Sequence, residues 1–173
     1  MILTRLEELT AYRMCVPKWA VAPKSGAGAA MHGGRANRPG VPAIYLALDT
    51  ETAVREYRQA SALLPPGTLV SYQITVGDVA DFRNGFEATD WNPIWDDFYC
   101  DWRELYFNQR IEPPSWVAGD EVTAAGAKGI LFRSGLSVGG TNLVVYPGTF
   151  GAADMLSIFD PDQSLPKNRD SWP

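Results

Sequence analysis

Residues 33–57 read GGRANRPGVPAIYLALDTETAVREY. A loop carrying paired glycines and Arg35 leads into a strand at 42–49, PAIYLALD. Asp49 then stands as the N-cap of a helix at 50–63, TETAVREYRQASAL. On that helix Ala53, Tyr57, Ala60 and Leu64 recur at three- or four-residue steps and form a core stripe. Glu56 lies beside the stripe, not opposite it. Three chemically distinct groups are thus carried on three successive elements: Arg35 on a loop, Tyr45 on a strand and Glu56 on a helix.

Upstream, residues 23–40 (PKSGAGAAMHGGRANRPG) read as a long flexible loop. Glycine lets backbone approach a ligand closely, and Arg35 brings a fork-shaped cation. A loop of this length usually has a function. Residues 11–16, AYRMCV, alternate as a strand, with Tyr12, Met14 and Val16 on one face and Arg13 and Cys15 on the other. An arginine on an inner face needs a partner or a ligand. Residues 1–10 read as a short helical lead-in, because Leu3, Leu6 and Leu9 sit at helical spacing.

Downstream, Pro65-Pro66-Gly67 punctuates the chain, and TLVSYQITV at 68–76 alternates as a strand. Residues 77–100 read as loop-rich, with an aromatic cluster at Trp91, Trp95, Phe98 and Tyr99. Helices are expected at 101–111 and 114–126, the second opening on proline and closing on Gly126. Strands are expected at 129–133 and 141–147. The tail at 148–173 is expected to pack loosely on the domain or wrap it. Strands and helices are interspersed without regular βαβ alternation. The fold class expected is therefore α+β, one compact domain over 1–173.

Composition narrows the function. The 173 residues carry 15 basic and 20 acidic side chains, a net charge of −5. Without clustered Lys and Arg, direct nucleic-acid binding is not expected. Two distant cysteines, Cys15 and Cys100, are too few for a disulfide framework and read as small thiols in a reducing compartment. No apolar leader and no apolar run of membrane length is visible, so the expected address is the cytoplasm.

Familiar motifs fail. GAGAAMHGG ends neither as a P-loop nor as G-x-G-x-x-G between strand and helix. One histidine, His32, and two cysteines make a metal site unexpected. A Ser-His-Asp triad would need that same histidine, and no G-x-S-x-G is present. Asp96-Asp97 and Asp120-Glu121 read as solvated helix ends, which leaves a paired-carboxylate glycosidase little support.

The remaining residues resemble the RES domain family, toxins of bacterial toxin–antitoxin pairs. The stretch 33–57 is similar to that family's GGRWN-x-x-G, strand tyrosine and helix glutamate. GILFRSGLSVGGTNLVVYP, at 129–147, resembles its second block, a serine after a strand followed by an Asn-Leu-rich strand. Tyr12-Arg13 resembles its opening strand, and together these blocks imply a domain core at 11–147. Two departures stand out: Ala36 replaces the usual tryptophan, removing a packing anchor, and Arg133 replaces the usual proline, adding a charge near the site.

The resemblance implies an ADP-ribosyltransferase-like (diphtheria-toxin-like) fold and NAD as the substrate, split by hydrolysis or phosphorolysis of the nicotinamide–ribose bond. It implies a small Xre-type helix-turn-helix antitoxin as partner, in a multimeric complex. It also implies roles. Glu56 would stabilise the positive charge that builds on the ribose. Arg35 and Arg13 would take the pyrophosphate, with Gly34 admitting it closely. Tyr45 would stack on nicotinamide, and Ser134 would hydrogen-bond the ribose or the nicotinamide amide. Neutral nicotinamide leaves readily, so no metal is required. Two alternatives stay open at this point: transfer of ADP-ribose to a protein, and a domain that binds nucleotide without turnover.

Overall fold

The computed structural model describes residues 1–170. Six strands form one sheet: β1 (Leu3–Cys15), β2 (Ile44–Ala47), β3 (Thr68–Asp81), β4 (Gly129–Arg133), β5 (Thr141–Val145) and β6 (Met155–Ile158). They lie in the order β1-β2-β5-β4-β3-β6, and β1 also pairs along β3, so the first five close into a circuit. All pairings are antiparallel except β3 with β4. Among the described residues three α-helices accompany them: α1 (Ala27–His32), α2 (Thr50–Arg58) and α3 (Pro114–Ala124). The α+β class expected from the sequence is the one observed.

Alternation along the strands sends side chains to two cores, one on each face of the sheet. Leu131, Leu143 and Val145 enter a cluster with Leu6, Ile44, Val70 and Ile74. Their neighbours Ile130, Phe132 and Val144 enter the other, with α3 and the aromatics. That aromatic cluster is built as expected and gains Phe82 at its centre. Phe82 and Trp91 meet edge to face at 4.9 Å, and Trp91 and Trp95 lie 4.4 Å apart. The buried Trp95 Nε1 donates to Glu121 Oε2 at 3.1 Å, so its polar end is satisfied.

Several expected boundaries are corrected. The N-terminal ten residues are not helical: from Leu3 they belong to β1. Helix α2 stops at Arg58, where Gln59 takes a positive φ of 53°. Ala60 and Leu64 consequently lie outside the helix, exposed, and of the expected core stripe only Ala53 is buried, while Tyr57 lines a cavity. Strand β3 runs five residues further than expected, to Asp81. The expected helix at 101–111 is a π-helical turn at Glu104–Gln109. The tail is not loose: β6 pairs with Tyr72–Thr75 of β3, and Leu156, Ile158 and Leu165 pack on the first core. The tail's end, 171–173, lies outside the described residues. Among the described residues no helix is long and apolar enough to cross a membrane, and no three His, Cys, Asp or Glu side chains cluster to hold a metal.

Candidate active site

The glycine-rich stretch is held far more firmly than its composition predicts. Asn37 is almost fully buried, and its Nδ2 donates to the carbonyls of Ala29 (3.0 Å), Arg38 (3.2 Å) and Val41 (2.9 Å). Asn37 Oδ1 accepts the Tyr45 hydroxyl at 2.8 Å, and that hydroxyl accepts the Ala36 N–H at 2.9 Å. Trp116 Nε1 donates to Gly34 O at 2.6 Å, and the Tyr146 hydroxyl donates to Ala36 O at 2.6 Å. Arg38 bridges to Asp120 and Glu112. A loop whose polar atoms are paired in this way is a rigid wall. Gly34 is required there by close approach: a Cβ would overlap the Tyr45 hydroxyl and stand 2.6 Å from Asn37 Oδ1. Ala36 is fully buried in the second core, so the small residue fills its place without leaving the loop unanchored.

This wall bounds a cavity of about 720 Å³, within the range of small-molecule sites. Arg13, Gly34, Arg35, Tyr45 and Glu56 all line it. Residues separated by 43 positions are thus brought to one place by β1, the loop, β2 and α2. The Asp49 cap fixes the start of α2: its Oδ1 accepts the Thr52 N–H and its Oδ2 the Thr52 hydroxyl, both at 2.7 Å. An N-cap of this kind stabilises a helix by about 1 kcal/mol. Ala53 and Glu56, one turn apart, then face the cavity together.

Glu56 is gripped from the β4–β5 hairpin. Ser134 Oγ donates to Glu56 Oε1 at 2.7 Å, and Asn142 Nδ2 donates to the same oxygen at 2.6 Å. Ser134 Oγ in turn accepts the N–H groups of Leu136 (3.1 Å) and Ser137 (3.0 Å). Ser134 therefore does not line the cavity; it reaches the carboxylate from behind. Its hydroxyl is thus found on Glu56, where the resemblance implied a contact with the ribose or the nicotinamide amide. Glu56 Oε2 accepts no hydrogen bond among the described residues. Asn142 was missed as a site residue, although it offered a signal: it is the one amide in the apolar strand TNLVV, and a buried amide needs a reason.

The expected arginines prove to be partly committed. Arg35 Nη1 donates to Phe98 O (3.1 Å) and Cys100 O (3.0 Å), and its guanidinium lies 5.8 Å from the Tyr99 ring centroid. Arg13 Nη1 donates to Pro23 O (3.3 Å) and Ser25 O (3.2 Å). Tyr45 presents its ring to the cavity while its hydroxyl is spent on the loop. Burial pushes that hydroxyl's pKa well above its ordinary value, outweighing the Ala36 N–H and the charges of Arg35 and Arg103. Arg133 turns away from the cavity, its Nη1 on Gly139 O and Thr141 Oγ1, so the charge expected near the site points elsewhere. Arg103, Trp102 and Phe107, which the sequence reading did not single out, complete the wall from the π-helical turn and the residues just before it.

Comparison with known proteins adds to this geometry. A search of solved structures finds the Mycobacterium tuberculosis MbcT–MbcA toxin–antitoxin complex, at a TM-score of 0.59 and 22% identity, covering 91% of this chain and 84% of that one. At that identity the likeness is one of fold. No curated protein matches. The family model for the RES domain matches residues 10–168, a span that takes in β6 and most of the tail left outside the resemblance above. The chain belongs to the RES domain family.

Proposed function

We propose that this chain is a toxin enzyme that cleaves the nicotinamide–ribose bond of NAD+ and so depletes NAD. The observation that carries the reading is Glu56: one carboxylate oxygen is pinned by Ser134 and Asn142, and the other accepts no hydrogen bond among the described residues, on a cavity otherwise rich in guanidinium groups. Family membership and the fold shared with one chain of a toxin–antitoxin complex support it.

The chemistry follows from that arrangement. The C1′–N bond breaks, and its electron pair goes to the pyridinium nitrogen, which leaves as neutral nicotinamide. Positive charge builds on the ribose, and the fixed Glu56 carboxylate stabilises it where it develops. An oxygen of water or phosphate then forms the new bond to C1′ and sheds its proton to solvent. The Tyr45 ring supplies an apolar face for nicotinamide. The guanidinium groups favour the pyrophosphate. The partner proposed is a small Xre-type helix-turn-helix antitoxin, in a multimeric complex.

The test is NAD loss with purified protein, with and without phosphate, and identification of products by mass spectrometry. ADP-ribose or its 1-phosphate names the acceptor. Glu56→Gln should abolish the loss and leave the circular dichroism spectrum unchanged. NAD that survives in both buffers with folded wild-type protein refutes the reading, and an ADP-ribosylated protein band in its place would name a transferase.

A further inference from the structure

The chain carries a net charge of −5, yet its cavity is lined by three arginines, His32 and a single carboxylate, Glu56. A cationic, low-dielectric recess in an acidic protein selects anions. The three arginines are not equivalent. Arg13 and Arg35 each give Nη1 to two backbone carbonyls, so part of each fork is already used. Arg103 makes no hydrogen bond or ion pair among the described residues; its guanidinium stacks 4.4 Å from the Trp102 ring centroid. Stacking leaves all five N–H donors in the plane free for a ligand. Arg103 immediately precedes the π-helical turn Glu104–Gln109, a geometry that recurs at functional sites. Phe107, on the same turn, lines the cavity and is 44% exposed, a large apolar ring with one face open.

We propose that Arg103 and Phe107 form the subsite for a nucleoside diphosphate: Arg103 binds the diphosphate and Phe107 stacks on the base. Arg13 and Arg35, each anchored through Nη1, fix the wall and add to its positive potential. The proposal refines the NAD reading by naming which guanidinium moves onto the substrate, and its test needs no turnover.

Titration calorimetry with ADP and with inorganic pyrophosphate provides that test on the full chain. Arg103→Ala should weaken both by about tenfold or more, the loss expected for charge-assisted hydrogen bonds. Arg103→Lys should recover only part, because an ammonium cannot reproduce the fork. Phe107→Ala should weaken ADP several-fold and leave pyrophosphate unchanged. Both side chains are exposed, so the variants should melt within a few degrees of wild type. Wild-type ADP affinity in Arg103→Ala overturns the proposal, as does a wild-type protein that binds neither probe. If ADP binds as described but NAD is never consumed, the subsite stands and the proposed reaction falls.

Discussion

Asn142 Nδ2 donates to Glu56 Oε1 at 2.6 Å, while Asn142 Oδ1, buried, accepts nothing among the described residues. An unsatisfied buried acceptor costs about 1–3 kcal/mol. A side chain held at that cost is explained by what its other end does, which is to aim Glu56. Asn142→Leu removes the orphaned acceptor together with the donor. Its stability is expected to stay within about 1 kcal/mol of wild type, because the two changes oppose each other. NAD cleavage should fall by about tenfold or more, as an unaimed carboxylate stabilises the ribosyl charge less well. Chemical denaturation and initial rates on one preparation check both halves. A variant that loses stability and keeps full activity would show that the amide is structural.

Ser134 separates two roles that the sequence alone left merged. If it touched substrate, its loss would act largely on KM. The observed contact is with Glu56, so Ser134→Ala should lower kcat by roughly 10- to 100-fold with KM nearly unchanged. It should also cost about 1–2 kcal/mol, since the N–H groups of Leu136 and Ser137 lose their acceptor. Steady-state kinetics over a full substrate range distinguishes the two. A raised KM at constant kcat would return Ser134 to the substrate.

Acid sensitivity has an identifiable contributor away from the cavity. Asp81 receives Arg83 Nε at 2.7 Å and Nη2 at 2.6 Å, and this hydrogen bonding holds its carboxyl below the ordinary value. A carboxyl depressed on folding lends stability at neutral pH, and that stability is lost as pH falls through the ordinary carboxylate range towards the folded value. The pair is partly solvent-screened, so the effect is under about 1 kcal/mol. Asp81→Asn should melt slightly below wild type at pH 7, and the gap should close on acidification towards pH 3. A gap that widens in acid would reverse the sign and exclude this origin.

How legible each element was depended on whether local rules ran unopposed. The strand at 42–49, the Asp49 cap and the start of α2 obey ordinary propensity, and they bring Tyr45 and Glu56 to the cavity as expected. The N-terminus misled for a specific reason. Between Leu6 and Leu9 three residues of β1 span two of β3, from Val76 to Ile74, and Glu8 takes a positive φ of 48°. That bulge returns two leucines three residues apart to the same side of a strand, and so imitates a helix. The end of α2 was overrun because Ala60 and Leu64 continue the stripe while Gln59 turns the backbone out of it. Asn142 and Arg103 escaped notice because neither has a distinctive local pattern. One matters through a contact 86 residues away, and the other through making no hydrogen bond among the described residues where Arg13 and Arg35 make theirs.

Strand β6 gives the last prediction. A tail that merely wrapped the surface would be dispensable. Instead β6 covers one edge of β3 along Tyr72–Thr75, and Asp154 Oδ1 accepts the Gly77 N–H at 3.1 Å. Leu156, Ile158 and Leu165 bring partly buried side chains to the first core. Ending the chain after Gly151 would expose that edge and remove those side chains, each worth up to about 1.5–3 kcal/mol. The loss approaches the whole stability of a domain of this size, and the bare edge invites pairing between copies. The shortened protein should therefore be largely unfolded or aggregated at 25 °C. A chain ended after Lys167 keeps β6 and Leu165 and should melt close to wild type. Thermal melting and size-exclusion chromatography of the two truncations decide the matter. A folded, monomeric chain ending at Gly151 would show that the circuit of β1 to β5 suffices alone.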